Sequence, residues 1–105
     1  MPPVEYKPVW APAARKDLDD IYDYYAANVS QTIAERLLND IAEAAERITA
    51  RPLSGAPRPK IGAGVRSTRS DPYLLFYRVE PNAVVFLRVL HERRDLTAVF
   101  QGDDL

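Results

Sequence analysis

The strongest strand-like apolar runs, each punctuated by an arginine, lie late in the chain. Residues 72–79 (PYLLFYRV) and 83–91 (AVVFLRVLH) read as two strands around a Pro81-Asn82 turn. On the first, Tyr73, Leu75, Tyr77 and Val79 share one face, and Leu74, Phe76 and Arg78 share the other. On the second, Val85, Leu87 and Val89 oppose Val84, Phe86, Arg88 and Leu90. A turn centred on Pro81 puts Arg78 and Arg88 on the same side and the aliphatic sets on the other. A slip by one residue would bury an arginine without a partner, at several kcal/mol.

Upstream, the period changes from two to 3.6. Val4 to Trp10 alternates until Pro8, which cannot donate to a ladder, so it predicts a short edge strand. Pro12 suits the first turn of a helix, and Ala14, Leu18, Ile21, Tyr22 and Tyr25 then share one face. Asp17, Asp19 and Asp20 are expected near the positive end of its dipole. Two of Tyr22, Tyr24 and Tyr25 should be core rather than a stacking platform. Ser30 can cap a second helix, in which Ala34, Leu37, Leu38, Ile41, Ala44, Ala45 and Ile48 keep helical period up to Pro52. So short a connection predicts an antiparallel helical hairpin.

Residues 52–64, PLSGAPRPKIGAG, read as a loop, in which Arg58 and Lys60 are expected to be solvated. Val65 to Ser70 can form a strand in which Arg66 and Arg69 have opposite parity. A turn or helix from Asp95 should dock Leu96 and Phe100. The order β-α-α-β-β-β predicts an α+β fold of two layers: one helical hairpin on one face of a mainly antiparallel sheet, the other face open.

Composition narrows this picture. A chain of 105 residues suits one domain spanning residues 1–105. No apolar run approaches the roughly 20 residues of a spanning helix, and no secretory leader is visible, so a cytoplasmic protein without membrane contact is expected. With no cysteine and one histidine, neither a metal site nor a cofactor is expected. Charge is divided along the chain. Residues 1–50 carry nine acidic and five basic side chains; residues 51–94 carry nine basic and three acidic. The basic part should attract an acidic partner.

Three readings of Arg78, Arg88, His91, Arg93 and Arg94 compete. A ribonuclease would use His91 as acid or base and the arginines as a phosphate clamp. A docking face would hold an acidic peptide through arginine–carboxylate pairs, with Phe76 and Phe86 as apolar anchors. A structural reading leaves His91 hydrogen-bonded near the strand end and the arginines solvated.

The order and spacing of several short stretches resemble the ParE branch of the RelE/ParE toxin superfamily. They are Ala14-Arg15-Lys16-Asp17-Leu18 with Ile21 and Tyr25, Arg51-Pro52-Leu53-Ser54-Gly55, Gly64-Val65-Arg66, Pro72 to Val79, and Leu87 to Asp95. The resemblance implies the two-layer fold reached above and the toxin half of a type II toxin–antitoxin module. It implies a hetero-oligomer with a ParD-like antitoxin, which has a dimeric DNA-binding part and an acidic segment that wraps the toxin. DNA is then met only through the antitoxin, and DNA gyrase is the expected target. Arg66, Phe76, Arg78, Phe86 and Arg88 are the expected antitoxin contacts; His91, Arg93 and Arg94 are the expected target contacts. The nuclease branch of the superfamily cuts mRNA on the ribosome. In that reading His91, Arg66 and Arg88 would be catalytic, and a peptide-binding module without toxicity is a further alternative. The sequence departs from the nuclease pattern: Lys60 is the only lysine after Lys16, and no tyrosine follows His91.

Overall fold

The computed structural model describes residues 5–94 and 96–101. The expected strand start at Val4, the helix start at Asp95 and the acidic C-terminal stretch Gly102-Asp103-Asp104-Leu105 lie outside them.

Strand β1 (Lys7–Trp10) leads into α1 (Pro12–Asn28), with Pro12 at the first turn as its missing N–H allows. Val29 and Ser30 connect it to α2 (Gln31–Ala50), which begins where Ser30 Oγ accepts from the Ile33 N–H at 3.1 Å. The loop expected over 52–64 contains more order than its prolines and glycines suggest. Pro52–Ser54 makes a 3-10 turn, and Ala56–Pro57 forms a two-residue strand, β2. Then come β3 (Val65–Ser70), β4 (Tyr73–Glu80), β5 (Ala83–His91) and a short α3 (Leu96–Gln101).

The strands form one sheet in the order β1-β5-β4-β3-β2. β1 is an edge strand, as Pro8 requires, and it runs parallel to β5; the other pairings are antiparallel. The two helices cover one face. Ile21 of α1 and Ile41, Ala44, Ala45 and Ile48 of α2 pack with Tyr73, Leu75 and Tyr77 of β4 and with Val84, Phe86 and Val89 of β5. Trp10 closes the β1 side, stacked on Phe86 at a centroid distance of 4.6 Å.

The register of β5 differs from the expectation. Glu80 pairs with Ala83, so the turn centres between Pro81 and Asn82 rather than on Pro81. A β-bulge follows: Tyr77 pairs with Phe86, but Phe76 pairs with Arg88, leaving Leu87 as the extra residue. The helix-facing set is therefore Val84, Phe86 and Val89, not Val85, Leu87 and Val89. The second face is not fully open either. Val65, Leu74, Phe76 and Leu90 form a second cluster there with Phe100 of α3, and Ile61, Leu87, Leu96 and Val99 pack against it. Phe100 meets Phe76 edge-on at 5.0 Å.

Two tyrosines on the helix-facing side link packing to pH. The Tyr77 hydroxyl donates to Pro52 O at 2.7 Å, and the Tyr73 hydroxyl meets that of Tyr25 at 3.5 Å. Burial raises the pKa of both; in Tyr73 the Tyr25 hydroxyl adds to the rise, and in Tyr77 the Gly55 N–H and Arg66 oppose it. The folded chain therefore resists forming either phenolate, while the unfolded chain ionises near pH 10. Stability should be unaffected by these groups below about pH 10 and fall as pH rises beyond it. Denaturant midpoints followed into alkali should show that fall, and Tyr73→Phe should reduce its slope. An unchanged alkaline limb in that variant would refute this account.

Candidate functional site

The basic part of the chain, traced upward from its strands, separates into three places on the sheet and a turn after β5. The first is the joint between α1 and β5. The bulge puts Arg88 at the β5 edge beyond its pairing with β1. There its Nε donates to Asp17 Oδ2 at 2.8 Å and its Nη2 to Asp17 Oδ1 at 3.0 Å. The Val89 N–H donates to the same carboxylate at 2.9 Å. The Arg88 and Asp17 side chains are only 14% and 10% exposed. Arg88 is thus committed to a buried bidentate pair and does not emerge beside Arg78 to receive a partner's carboxylates. Asp17 is not at the helix start but on its buried face, three residues after Ala14 and four before Ile21. That spacing was the available signal: an acid inside an apolar helical stripe needs a cation to meet it.

The second place is the turn after α2. Arg66 lies opposite Tyr77 on the helix-facing side, and its Nη1 donates to Leu53 O at 3.1 Å and Gly55 O at 2.7 Å. The Tyr77 hydroxyl accepts from the Gly55 N–H at 3.0 Å. Arg66 therefore holds backbone in place here.

The third place is the far face of the sheet. Arg78, half-buried, lies there, opposite Val65 and Val85. Phe76 and Phe86, expected as surface anchors, are both fully buried: Phe86 is under the helices and Phe76 under Phe100. The cation that lies over Phe76 is Arg58, whose guanidinium carbon is 5.9 Å from the ring centroid and whose Nε donates to Ser67 Oγ at 2.8 Å. So Arg58 is not simply solvated. Arg69, on the same face, pairs with Asp71 and Glu92.

His91 ends β5 edge-on to Tyr73 at 5.6 Å. Its Nδ1 accepts from the Arg93 N–H at 3.1 Å, and the Arg94 N–H bonds His91 O at 3.0 Å. These bonds form a turn that leaves the Arg93 and Arg94 side chains exposed. Arg66, Arg88 and His91 lie opposite Tyr77, Phe76 and Tyr73 respectively. Tyr77 lies four residue steps along the strand from Tyr73, about 13 Å. The three residues that a nuclease would use are spread along the sheet, and each already has a structural partner. Among the described residues, no group of three or more His, Asp or Glu could hold a metal ion, and no helix is long and apolar enough to cross a membrane.

The fold is a two-layer α+β domain whose basic side chains are divided between the α1–β5 joint, the turn after α2, the far face of the sheet and the turn after β5. The family model for the ParE toxin of the type II toxin–antitoxin system, parDE, matches residues 9–96, and the chain belongs to that family. Toxin ParE1 of Mycobacterium tuberculosis is 35% identical over 89 residues, covering 82% of this chain and 89% of that protein. Toxin ParE3 of Caulobacter vibrioides is 32% identical over 82 residues, covering 78% and 82%. In structure, the chromosomal ParDE toxin–antitoxin system from P. aeruginosa superposes with a TM-score of 0.74 at 27% identity, covering 85% of this chain and 98% of that one. A chain of the toxin–antitoxin complex RelBE2 from Mycobacterium tuberculosis gives 0.66 at 29% identity, covering 87% and 95%.

Proposed function

We propose that this ParE-family toxin is neutralised by a ParD-like antitoxin and acts by inhibiting DNA gyrase rather than by cutting RNA. The observation that carries this choice is the dispersal of Arg66, Arg88 and His91, each held by Asp17, backbone or a turn N–H rather than aimed at a common point. Cleavage through the RNA 2′-hydroxyl needs a base, an acid and a cation around one phosphate. The antitoxin reading is supported by the family match and by the ParDE and RelBE2 neighbours. It also suits the basic segment 51–70, which holds five cationic and no acidic side chains.

Of the expected antitoxin contacts, Arg78 keeps the role; Arg66 and Arg88 act through the structure they hold. Arg93 and Arg94, exposed on the turn after β5, are assigned to the target. Supercoiling by purified gyrase should fall when the toxin is added. Arg93→Glu combined with Arg94→Glu should raise the concentration needed by about tenfold or more, with antitoxin binding retained. Undiminished supercoiling with the wild-type toxin would remove gyrase as the target. Ribosome-dependent cuts in mRNA that are lost in His91→Ala would replace this reading with the nuclease one.

A further inference from the structure

Between the loop after β2 and the start of α3 lies a groove of about 360 Å³, lined by Pro57, Arg58, Pro59, Lys60, Ile61 and Leu96. Its size is near the lower end of the roughly 300–1,000 Å³ range of ligand pockets. Its walls are apolar: Ile61 and Leu96 are the outer members of the cluster that contains Phe76 and Phe100. The loop that forms one wall is fixed before any partner arrives. The Arg58 N–H bonds Val65 O at 2.8 Å, the Ile61 N–H bonds Arg58 O at 3.0 Å, and the Val65 N–H bonds Gly62 O at 3.2 Å. Pro57 and Pro59 restrict the backbone further, so little ordering remains to oppose binding.

The rim is cationic. Arg58 is oriented by Ser67 Oγ and by the Phe76 ring, and among the described residues no hydrogen bond occupies its terminal nitrogens. Lys60 is exposed beside it. Among the described residues no acidic side chain lines the groove, and the sequence carries none from residue 51 to residue 70. An apolar trough with an oriented guanidinium and an exposed ammonium at its lip suits an aliphatic side chain flanked by carboxylates.

We infer that this groove is where an acidic peptide segment of the antitoxin anchors: one aliphatic side chain sits between Ile61 and Leu96, and neighbouring carboxylates pair with Arg58 and Lys60. The inference rests on the antitoxin reading above and adds to Arg78 a second anchor point on the 57–61 loop. Anchoring there would also tie the partner to α3, since Leu96 forms the opposite wall.

The test is calorimetric titration of the full chain with a purified ParD-like antitoxin that has an acidic C-terminal segment. Lys60→Glu reverses an exposed charge without touching the core and should weaken binding by about tenfold; Arg58→Ala should do the same. Ile61→Glu should weaken it by about a hundredfold, because it fills the trough with a like charge. Arg36→Ala, on the exposed side of α2, should change nothing. Because Ile61 also packs on the far-face cluster, Lys60→Glu decides the matter if Ile61→Glu fails to fold. Tight binding by the wild type that Lys60→Glu and Arg58→Ala leave within twofold would overturn the groove alone. No binding by the wild type would overturn both the groove and the antitoxin reading.

Discussion

Asp17→Ala should destabilise the folded chain by about 3–5 kcal/mol, because it removes a carboxylate to which a largely buried guanidinium and a backbone N–H both donate. The Arg88 side chain is 14% exposed, and the lost carboxylate also accepts from the Val89 N–H. Three hydrogen bonds therefore vanish from one buried point. In a domain of this size that corresponds to a fall in Tm of more than about 10 °C. Chemical denaturation should show a lower midpoint at an unchanged slope, the sign of lost stability rather than an altered unfolded state. Replacing both partners by apolar residues of similar size, Asp17→Leu with Arg88→Met, should recover most of the loss, since the pair's own net contribution is small once both charges are gone. The cycle of single and double variants would then give a coupling of at least about 1 kcal/mol. A single variant within 0.5 kcal/mol of the wild type, roughly the effect of a neutral surface change, would show that Asp17 does not secure α1 to β5. The same result governs how an Arg88 variant is interpreted. Weaker antitoxin binding in Arg88→Ala would follow from a loosened α1–β5 joint, and it should disappear when compared at equal folded fraction.

Gly55→Ala should cost at least about 3 kcal/mol, from overpacking and the loss of the hydrogen bonds that close the turn after α2. The backbone at Gly55 is extended, with φ −75° and ψ 159°, so conformational freedom is not what the position needs. Space is. A Cβ there would meet the Tyr77 hydroxyl, lie 2.7 Å from Ser67 O and lie 2.8 Å from Tyr77 Cε1. Ser67 O is backbone in β3, and Tyr77 is fully buried, so neither can give way cheaply. Gly64→Ala is the natural contrast. Its φ is +75° but nothing lies within 4 Å of the added methyl, so only left-handed strain of about 1–2 kcal/mol is expected. Adding Tyr77→Phe to Gly55→Ala should relieve part of the clash and give a loss smaller than the sum of the two. If Gly55→Ala is no worse than Gly64→Ala in its unfolding midpoint, the close approach of Tyr77 to this turn is not what holds it.

Both predictions concern contacts that only long-range folding creates, and they mark where the sequence stopped being informative. Pro12, Ser30 and the 3.6-residue spacing from Ala34 to Ile48 are local signals, and the two helices follow them closely. Pro8 identified β1 as an edge strand. The Pro81-Asn82 turn located the hairpin, but the stretch Val84-Val85-Phe86-Leu87 is apolar on both parities and contains nothing to reveal a bulge. That one extra residue turned Arg88 from a partner of Arg78 into a partner of Asp17. Phe76 was placed correctly on the second face, but its cover, Phe100, comes from α3 at the other end of the hairpin.

The type and order of every element except the 3-10 turn and β2, the family and the division of charge were therefore settled by the order of side chains, because each depends on neighbours within a few residues or on overall composition. Strand register beyond the bulge, the burial of Phe86, the Asp17–Arg88 pair and the groove beside Arg58 were decided by tertiary structure. Each joins residues between nine and about seventy positions apart, and a one-residue shift in a strand that is apolar on both sides leaves no trace in the local pattern.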